Sequence, residues 1–236
     1  MHSTFNSYTL GLMDLLPPDA REALIAAGES VKLKAGQVVQ SRGDRQADLG
    51  IILSGKLRMM TLGVDGSVML TSILGPGQQF NEVTLFANAA RTHDAEAVGD
   101  AVVLTLTASE YEGVVLRHPV IVEAMLKSNV HRVHQLVEAL NDLRALPKSV
   151  VLARVLLKNA RHVADDRQAN SVDLAITQED IAMFLGVTRS YLNKTLGQLC
   201  DLDLIELSYR KVRVLDLAAL ERWINKQLTY ATVEDA

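Results

Sequence analysis

The segment TQEDIAMFLGVTRSYLNKTL, residues 177–196, decides the architecture of the C-terminal part of this chain. Read as helix, Ile181, Ala182 and Leu185 share one face, and Leu192 and Leu196 sit where a second helix packs back. Gly186 between them can enter the left-handed backbone region that reverses the chain, and the small Ala182 lets the two helices cross closely. Thr177 reads as an N-cap with Asp180 at the capping-box position, and Thr188 reads as the cap of the second helix. This spacing predicts a helix-turn-helix, whose second helix enters the major groove of DNA. Arg189, Ser190, Asn193 and Lys194 then face outward as candidate base readers. Thr177 and Thr188 place a hydroxyl at each helix N-terminus, where a phosphate can sit.

Downstream, residues 205–215 (IELSYRKVRVL) alternate like two short strands around a polar turn, the pattern of a wing. Arg210, Lys211 and Arg213 become candidates for contact with the DNA backbone. A terminal helix is expected from Leu217 to about Leu228, with Leu220, Trp223 and Ile224 on one packing face.

The chain has 236 residues, 48% of them hydrophobic, which is enough for two modest domains with ordinary cores. Its net charge of -4 argues against a protein that coats nucleic acid regardless of sequence. The acidity is uneven: residues 1–147 carry 12 Lys and Arg against 16 Asp and Glu, whereas residues 148–236 carry 12 against 12. No stretch approaches the roughly 20 apolar residues of a membrane span, and the N-terminus has no basic segment followed by an apolar run. A soluble protein without a membrane partner, located in the cytoplasm, is expected. Cys200 is the only cysteine, so no intrachain disulfide and no iron-sulfur cluster held by several cysteines is expected. Its place after the second helix reads as a small packing residue.

From about Val31 to Leu106, short apolar runs alternate with turn residues, as in an antiparallel sheet closed into a compact roll or barrel. The turns are Ala35-Gly36, Arg42-Gly43-Asp44, Ser54-Gly55, Asp65-Gly66 and Gly75-Pro76-Gly77. Gly50 to Leu53, Lys56 to Met59 and Ala101 to Leu106 are the expected strands, and a short helix from Pro18 to Ala27 precedes them. After Pro119 the pattern is helical for roughly 25 residues. Leu126, Val130, Val133, Val137 and Leu140 are spaced 4, 3, 4 and 3 apart, a coiled-coil seam, and Leu136 and Leu143 add a second row beside it. One edge of this helix can face the roll while the other faces an identical helix, so a homodimer is expected. Pro147 interrupts the pattern and suits the first turn of a further helix from Lys148 to about Arg161. The expected organisation is a sensor domain over residues 1–118, a dimerisation helix over 119–146 and a DNA-binding domain over 147–236.

Together these motifs resemble the Crp/Fnr family of bacterial transcription regulators over roughly residues 15–216. Gly36, Gly43-Asp44, Ile52 to Gly55, Asp65-Gly66 and Pro76 to Glu82 are similar to the glycine framework of that family's cyclic-nucleotide-binding β-roll, and Ile176 to Lys194 is similar to its winged helix-turn-helix. The resemblance implies an α+β protein with an N-terminal β-roll, a long dimerisation helix and a C-terminal winged helix-turn-helix. It implies a symmetric dimer on double-stranded DNA with an inverted-repeat operator, and RNA polymerase as a partner if the protein activates transcription. Arg189 falls where cyclic AMP-responsive members read a guanine, Lys194 replaces a second base-reading arginine, and Ser190 replaces a base-reading glutamate. Serine lacks the carboxylate that accepts from cytosine N4, so their half-site does not carry over whole, and Asn193 can read adenine instead.

In the roll, Glu82 and Arg91-Thr92 resemble the family's ribose- and phosphate-binding residues, with Asn81 in place of the usual glycine. These four residues form the candidate ligand site. The adenine-contacting Thr-Ser pair of cyclic AMP-responsive members aligns with Leu136-Val137, neither of which can hydrogen-bond a base. Cyclic AMP is therefore disfavoured, and another small effector, or none, is expected; Glu82 and Arg91 could equally pair with one another as a structural ion pair. His93, His118, His131 and His134 show no decisive metal- or haem-ligand pattern, and no metal is expected. Absent a phosphate loop, metal triad or nucleophile elbow, no enzyme is expected. The competing reading is a nucleotide-sensing module that signals to a protein partner without binding DNA.

Overall fold

The structure, a computed structural model, describes residues 10–63, 66–164, 170–209 and 211–234. Asp65 of the expected Asp65-Gly66 turn, most of the polar 165–171 loop, and Arg210 lie outside the described residues. The chain divides into two compact units, one ending at Gln135 and the other beginning at Leu136.

The first unit opens with a 3-10 turn (Leu12–Leu15) and helix α1 (Pro18–Ala27), whose proline occupies its first turn, where no backbone donor is needed. Strands β1 (Glu29–Leu33), β2 (Val38–Gln40), β3 (Asp48–Ser54), β4 (Leu57–Leu62), β5 (Val68–Leu74) and β6 (Gln79–Phe80) follow. After a short helix α2 (Glu82–Ala87) come β7 (Asp94–Ala97) and β8 (Ala101–Thr107). They form two four-stranded antiparallel sheets, ordered β1-β8-β3-β6 and β2-β7-β4-β5. This is the expected β-roll. Two of the strands read from the sequence fall within β3 and β8, and the third, from Lys56, overlaps β4 from Leu57; β1, β2, β5, β6 and β7 complete the sheets.

Two apolar clusters hold this unit. One joins Ile52, Leu57, Met59, Leu74, Phe80, Ala95 and Val103 inside the roll. The other joins Leu49, Ile51, Leu104 and Leu106, on the opposite faces of β3 and β8, to Leu12, Leu24, Tyr111, Val114 and Ile121 of the surrounding helices. The turn from β3 into β4, which carries the chain from one sheet to the other, is made at Gly55, with φ +78°, where an added Cβ would lie 2.4 Å from the carbonyl oxygen of Asp100. Only glycine fits there. Helix α3 (Ala108–Arg117) is a helix the sequence reading left out, although its capping box is present: Thr107 Oγ1 accepts from the Glu110 amide at 3.3 Å and Glu110 Oε2 accepts from the Thr107 amide at 2.7 Å.

Helix α4 (Val120–Ala145) changes character along its length. Ile121, Ala124, Met125 and Ser128 are buried, and beyond Ser128 no residue of the helix is. Leu126, Val130, Val133, Leu136, Val137 and Leu140 are between 52% and 63% exposed, and Leu143 is half-buried. The division between the two units falls inside this helix, the element that the sequence reading set apart as residues 119–146.

The second unit contains α5 (Lys148–Ala164), β9 (Val172–Leu174), α6 (Gln178–Leu185), α7 (Arg189–Asp201), β10 (Ile205–Ser208), β11 (Lys211–Val214) and α8 (Leu217–Glu234). Helix α5 buries Val150, Leu152, Ala153, Leu156 and Ala160, and α8 contributes Leu220 and Ile224, with Trp223 half-buried. The wing has three strands where the sequence pattern indicated two: β9 pairs with β11, giving the antiparallel order β10-β11-β9. Val172-Asp-Leu174 is too short for its alternation to stand out.

Candidate functional site

Helices α6 and α7 are joined as the 177–196 spacing requires. Gly186 takes φ +61° and ψ 42°, and its amide donates to the Ala182 carbonyl, closing α6. Thr177 Oγ1 accepts from the Asp180 amide at 3.1 Å and donates to Asp180 Oδ2 at 2.6 Å, so its proton is committed within the protein. Thr188 Oγ1 accepts from the Tyr191 amide at 3.2 Å, which leaves its own proton to donate outward. The two threonines therefore differ: both cap, but Thr188 is the exposed one with a donor to offer.

On α7, Leu192, Thr195, Leu196 and Leu199 are buried, and Thr195 Oγ1 donates back to the Tyr191 carbonyl at 3.0 Å. The opposite face presents Arg189, Ser190, Asn193 and Lys194, all exposed, together with Tyr191 and Gln198. Tyr191 and Gln198 were not singled out from the sequence; Gln198 lies four residues after Lys194, the spacing that shares a helix face. No ion pair among the described residues engages Arg189 or Lys194.

The wing cations are differently placed. Arg213 Nε donates to Asp173 Oδ1 at 2.6 Å and its Nη2 donates to Asp173 Oδ2 at 3.3 Å, while Lys211 Nζ lies 3.6 Å from the same carboxylate. Asp173 stands directly across from Arg213 on β9, and Glu206 stands across on β10 with an oxygen 3.8 Å from Arg213 Nη1. The hydrogen bonds from Arg213 hold the Asp173 carboxyl below its ordinary pKa, and that carboxylate raises the pKa of Arg213 in return. Cys200, at the end of α7, is half-buried, and burial together with Asp201 and Glu206 pushes its thiol up. It is a weak nucleophile.

In the roll, each of the four candidate ligand residues has a partner of its own. Asn81 adopts φ +76°, the left-handed conformation that glycine, and among other residues chiefly asparagine, tolerates. Its replacement of the usual glycine thus keeps the backbone, and its Nδ2 donates to Asp48 Oδ1 at 3.0 Å. Arg91, whose side chain is 6% exposed, directs Nη2 to both oxygens of Asp48 at 2.7 Å, and its Nη1 is 3.5 Å from Asp44 Oδ2. Glu82 accepts from Arg132 Nη1 at 2.9 Å, and Arg132 Nη2 donates to the Gln79 carbonyl at 2.9 Å. Thr92 Oγ1 lies 2.6 Å from His93 Nδ1. Glu82 and Arg91 are therefore both in ion pairs, but not with each other. Asp48 and Arg132 were not read from the sequence, because their roles depend on contacts 43 and 50 residues away.

Beside this group, Gln79 is fully buried and ties three elements together. Its Oε1 accepts from the Leu12 amide at 3.0 Å, its Nε2 donates to Ser128 Oγ at 3.0 Å, and Ser128 donates to the Leu10 carbonyl at 2.9 Å. The first turns of α4 are thus fastened to β6 by buried polar contacts as well as by Ile121 and Met125.

A capped helix-turn-helix with a wing, and a β-roll leading into a long helix with an uncovered apolar stripe, define a regulator of transcription with a ligand-binding domain. The chain matches the family described as Cyclic nucleotide-binding domain over residues 30–118 and the Crp-like helix-turn-helix domain over residues 152–223. It is 27% identical over 213 residues to the CRP-like cAMP-activated global transcriptional regulator of Mycobacterium tuberculosis, covering 90% of this chain and 95% of that one. It is 31% identical over 189 residues to the transcriptional regulator LdrP of Thermus thermophilus, covering 79% and 92%. Among solved structures it is similar to a CRP-family transcriptional regulator of Thermus thermophilus, with a TM-score of 0.63 and 26% identity over 83% of this chain and 96% of that one. The chain belongs to the Crp/Fnr family of transcription regulators. It is a DNA-binding regulator of transcription, and the competing reading of a sensing module without DNA binding is not favoured. The cyclic-nucleotide-binding type of its first domain indicates a small-molecule effector. Among the described residues no helix is long and apolar enough to cross a membrane.

Proposed function

We propose that the chain works as a cytoplasmic homodimer that reads an inverted-repeat site in double-stranded DNA, with the 119–146 helix as the dimer seam between a sensor domain (1–118) and a DNA-binding domain (147–236). The observation that carries the reading of DNA is the open face of α7, where Arg189, Ser190, Asn193 and Lys194 are all exposed. Arg189 is assigned to a guanine and Asn193 to an adenine, with Ser190 and Lys194 at flanking positions. Thr188 and the wing cations Lys211 and Arg213 take phosphates, as does Arg210.

The dimer rests on the α4 stripe. Six large apolar side chains, more than half exposed in the single chain, are an uncommon sight on a monomer surface. Covering each against a second copy is worth about 1 kcal/mol per side chain by the usual area scale. Two identical helices placed along this seam give the two-fold axis that an inverted-repeat site mirrors.

The roll is assigned an effector other than cyclic AMP, entering over Asn81, Glu82, Arg91 and Thr92, because Leu136-Val137 offers an adenine ring no hydrogen bond. If the protein activates transcription, RNA polymerase is its further partner. Selection of bound fragments from random DNA tests the core of this reading. A two-fold symmetric site is expected, and native mass spectrometry of Leu136→Asp is expected to give monomer where the parent gives dimer. Enrichment of no symmetric motif would reject it.

A further inference from the structure

The side chains around Arg91 form a complete charge arrangement without any ligand. Asp48 stands at the first residue of β3 with its side chain 10% exposed and presents both oxygens to one guanidinium nitrogen at 2.7 Å. Asn81 donates a further hydrogen bond to the same carboxylate. Asp44 adds a second carboxylate 3.5 Å from Arg91 Nη1. Two negative groups thus face one positive one, before any anion enters.

Of the neighbouring cations, Arg132 is neutralised by its own carboxylate, whereas Arg42 is bonded to a neutral hydroxyl. Glu82 and Arg132 neutralise each other at 2.9 Å. Burial and Arg42 lower the His93 pKa, and Asp94 raises it in part. Arg42 donates from Nη1 to Thr61 Oγ1 at 3.0 Å. A carboxylate and a phosphate present the same kind of oxygen pair to a guanidinium, so both compete for one place. The fit of Asp48 is incomplete in one respect: Arg91 Nε is buried and has no hydrogen-bond partner among the described residues. A flat carboxylate bound through a single nitrogen leaves that donor unmet, whereas a tetrahedral group with three oxygens can reach it as well.

We propose that Asp48 is a built-in counter-anion that occupies the guanidinium of Arg91, so that this roll rejects cyclic nucleotides and other phosphate esters and takes an effector with no anionic group at that end. This deepens the reading of the roll as a small-ligand domain and rests on it. Asp48 acts here as a specificity residue, and removing its charge converts the place into a phosphate site. The buried Arg91 cation, left with only the half-exposed Asp44 at 3.5 Å, is then the driving force for binding, since an under-compensated buried charge is destabilising.

The experiment uses the full chain and two probes, inorganic phosphate and cyclic AMP, followed by calorimetry and by thermal unfolding at constant ionic strength. The parent is expected to bind neither probe measurably. Asp48→Ser is expected to bind phosphate at least tenfold more tightly than the parent and to gain several degrees of melting temperature in phosphate over chloride, a ligand-linked stabilisation. The double variant Asp48→Ser with Arg91→Gln is expected to lose that gain. Asp48→Asn, which keeps the side-chain volume, gives the same comparison if the serine variant does not fold in chloride, and folding restored by phosphate counts in favour. Equal response of parent and Asp48 variants to phosphate overturns the proposal, as does tight binding of cyclic AMP by the parent or failure of both variants to fold even in phosphate. Selection of DNA fragments by the same proteins is read separately, so a failed DNA-binding assignment is distinguishable from a failed assignment of Asp48.

Discussion

The outer face of α7 and the group around Arg91 contain the same kinds of residue, an arginine, an asparagine and a hydroxyl in each, yet their states are opposite. On α7 they stand exposed on the surface of a helix whose other face is anchored by Leu192 and Leu196. In the roll Arg91 is buried, Asn81 is half-buried and Thr92 is exposed, and each already has a protein partner. A polar group left in water keeps its hydration and can exchange it for a ligand at small cost, whereas a group buried in an ion pair must first break that pair. Residue type alone therefore does not identify a binding site; the partners decide.

Substitution should separate the two regions by what is lost. The largest effect is expected for Arg91→Gln, which leaves Asp48 buried without its counter-charge and should cost about 3 kcal/mol or more of folding stability in a denaturant titration. A loss below about 1 kcal/mol would mean that the pair is not what holds this corner. Arg189→Ala should do the reverse: stability changes by less than about 0.5 kcal/mol, but discrimination at one base position falls by about 1–3 kcal/mol in competition binding. Loss of affinity that is uniform across sequences would reassign Arg189 to the backbone. The smallest effect is expected for Asp173→Asn on the wing. Freed from that carboxylate, Arg213 and Lys211 should strengthen non-specific DNA binding, with a salt dependence steeper by about one unit of slope. An unchanged slope would show that these cations do not reach phosphates.

The same contrast explains what was legible in the sequence. The helix-turn-helix was legible because it is local: a cap, an apolar spacing, a left-handed glycine and a second cap fall within the 20 residues from Thr177 to Leu196. The long helix was legible for the same reason, its seam repeating every three or four residues. The roll was legible as a rhythm of turns with three of its strands, those that became β3, β4 and β8. Its short strands β2 and β6, like β9 of the wing, have three residues or fewer, too few for an alternation to register. Helix α3 was missed although Thr107 and Glu110 announce its start, because the apolar run before it continues the strand pattern. The partners of the candidate ligand residues were not legible at all. Nothing near Arg91 in the chain names Asp48, and nothing near Glu82 names Arg132; strand pairing and helix packing bring them together. The glycine replaced by Asn81 looked like a departure from the family pattern, and the backbone angle there shows it to be a conservative change.

Strand β3 runs between both apolar clusters, with five consecutive residues buried from its first, and Asp48 is that first residue. Arg91 lies instead in an irregular stretch between α2 and β7. Of the two members of the pair, the carboxylate is carried by a central sheet strand and the guanidinium by a segment tied to the neighbouring turn, the Arg91 amide donating to the Asp44 carbonyl at 2.8 Å and the Gly43 amide to the Arg91 carbonyl at 2.9 Å. Any exchange of partners at this corner then falls to the side chains, with both backbones held: a swap of counter-charge on a fixed frame, like a key turned in a lock that does not move.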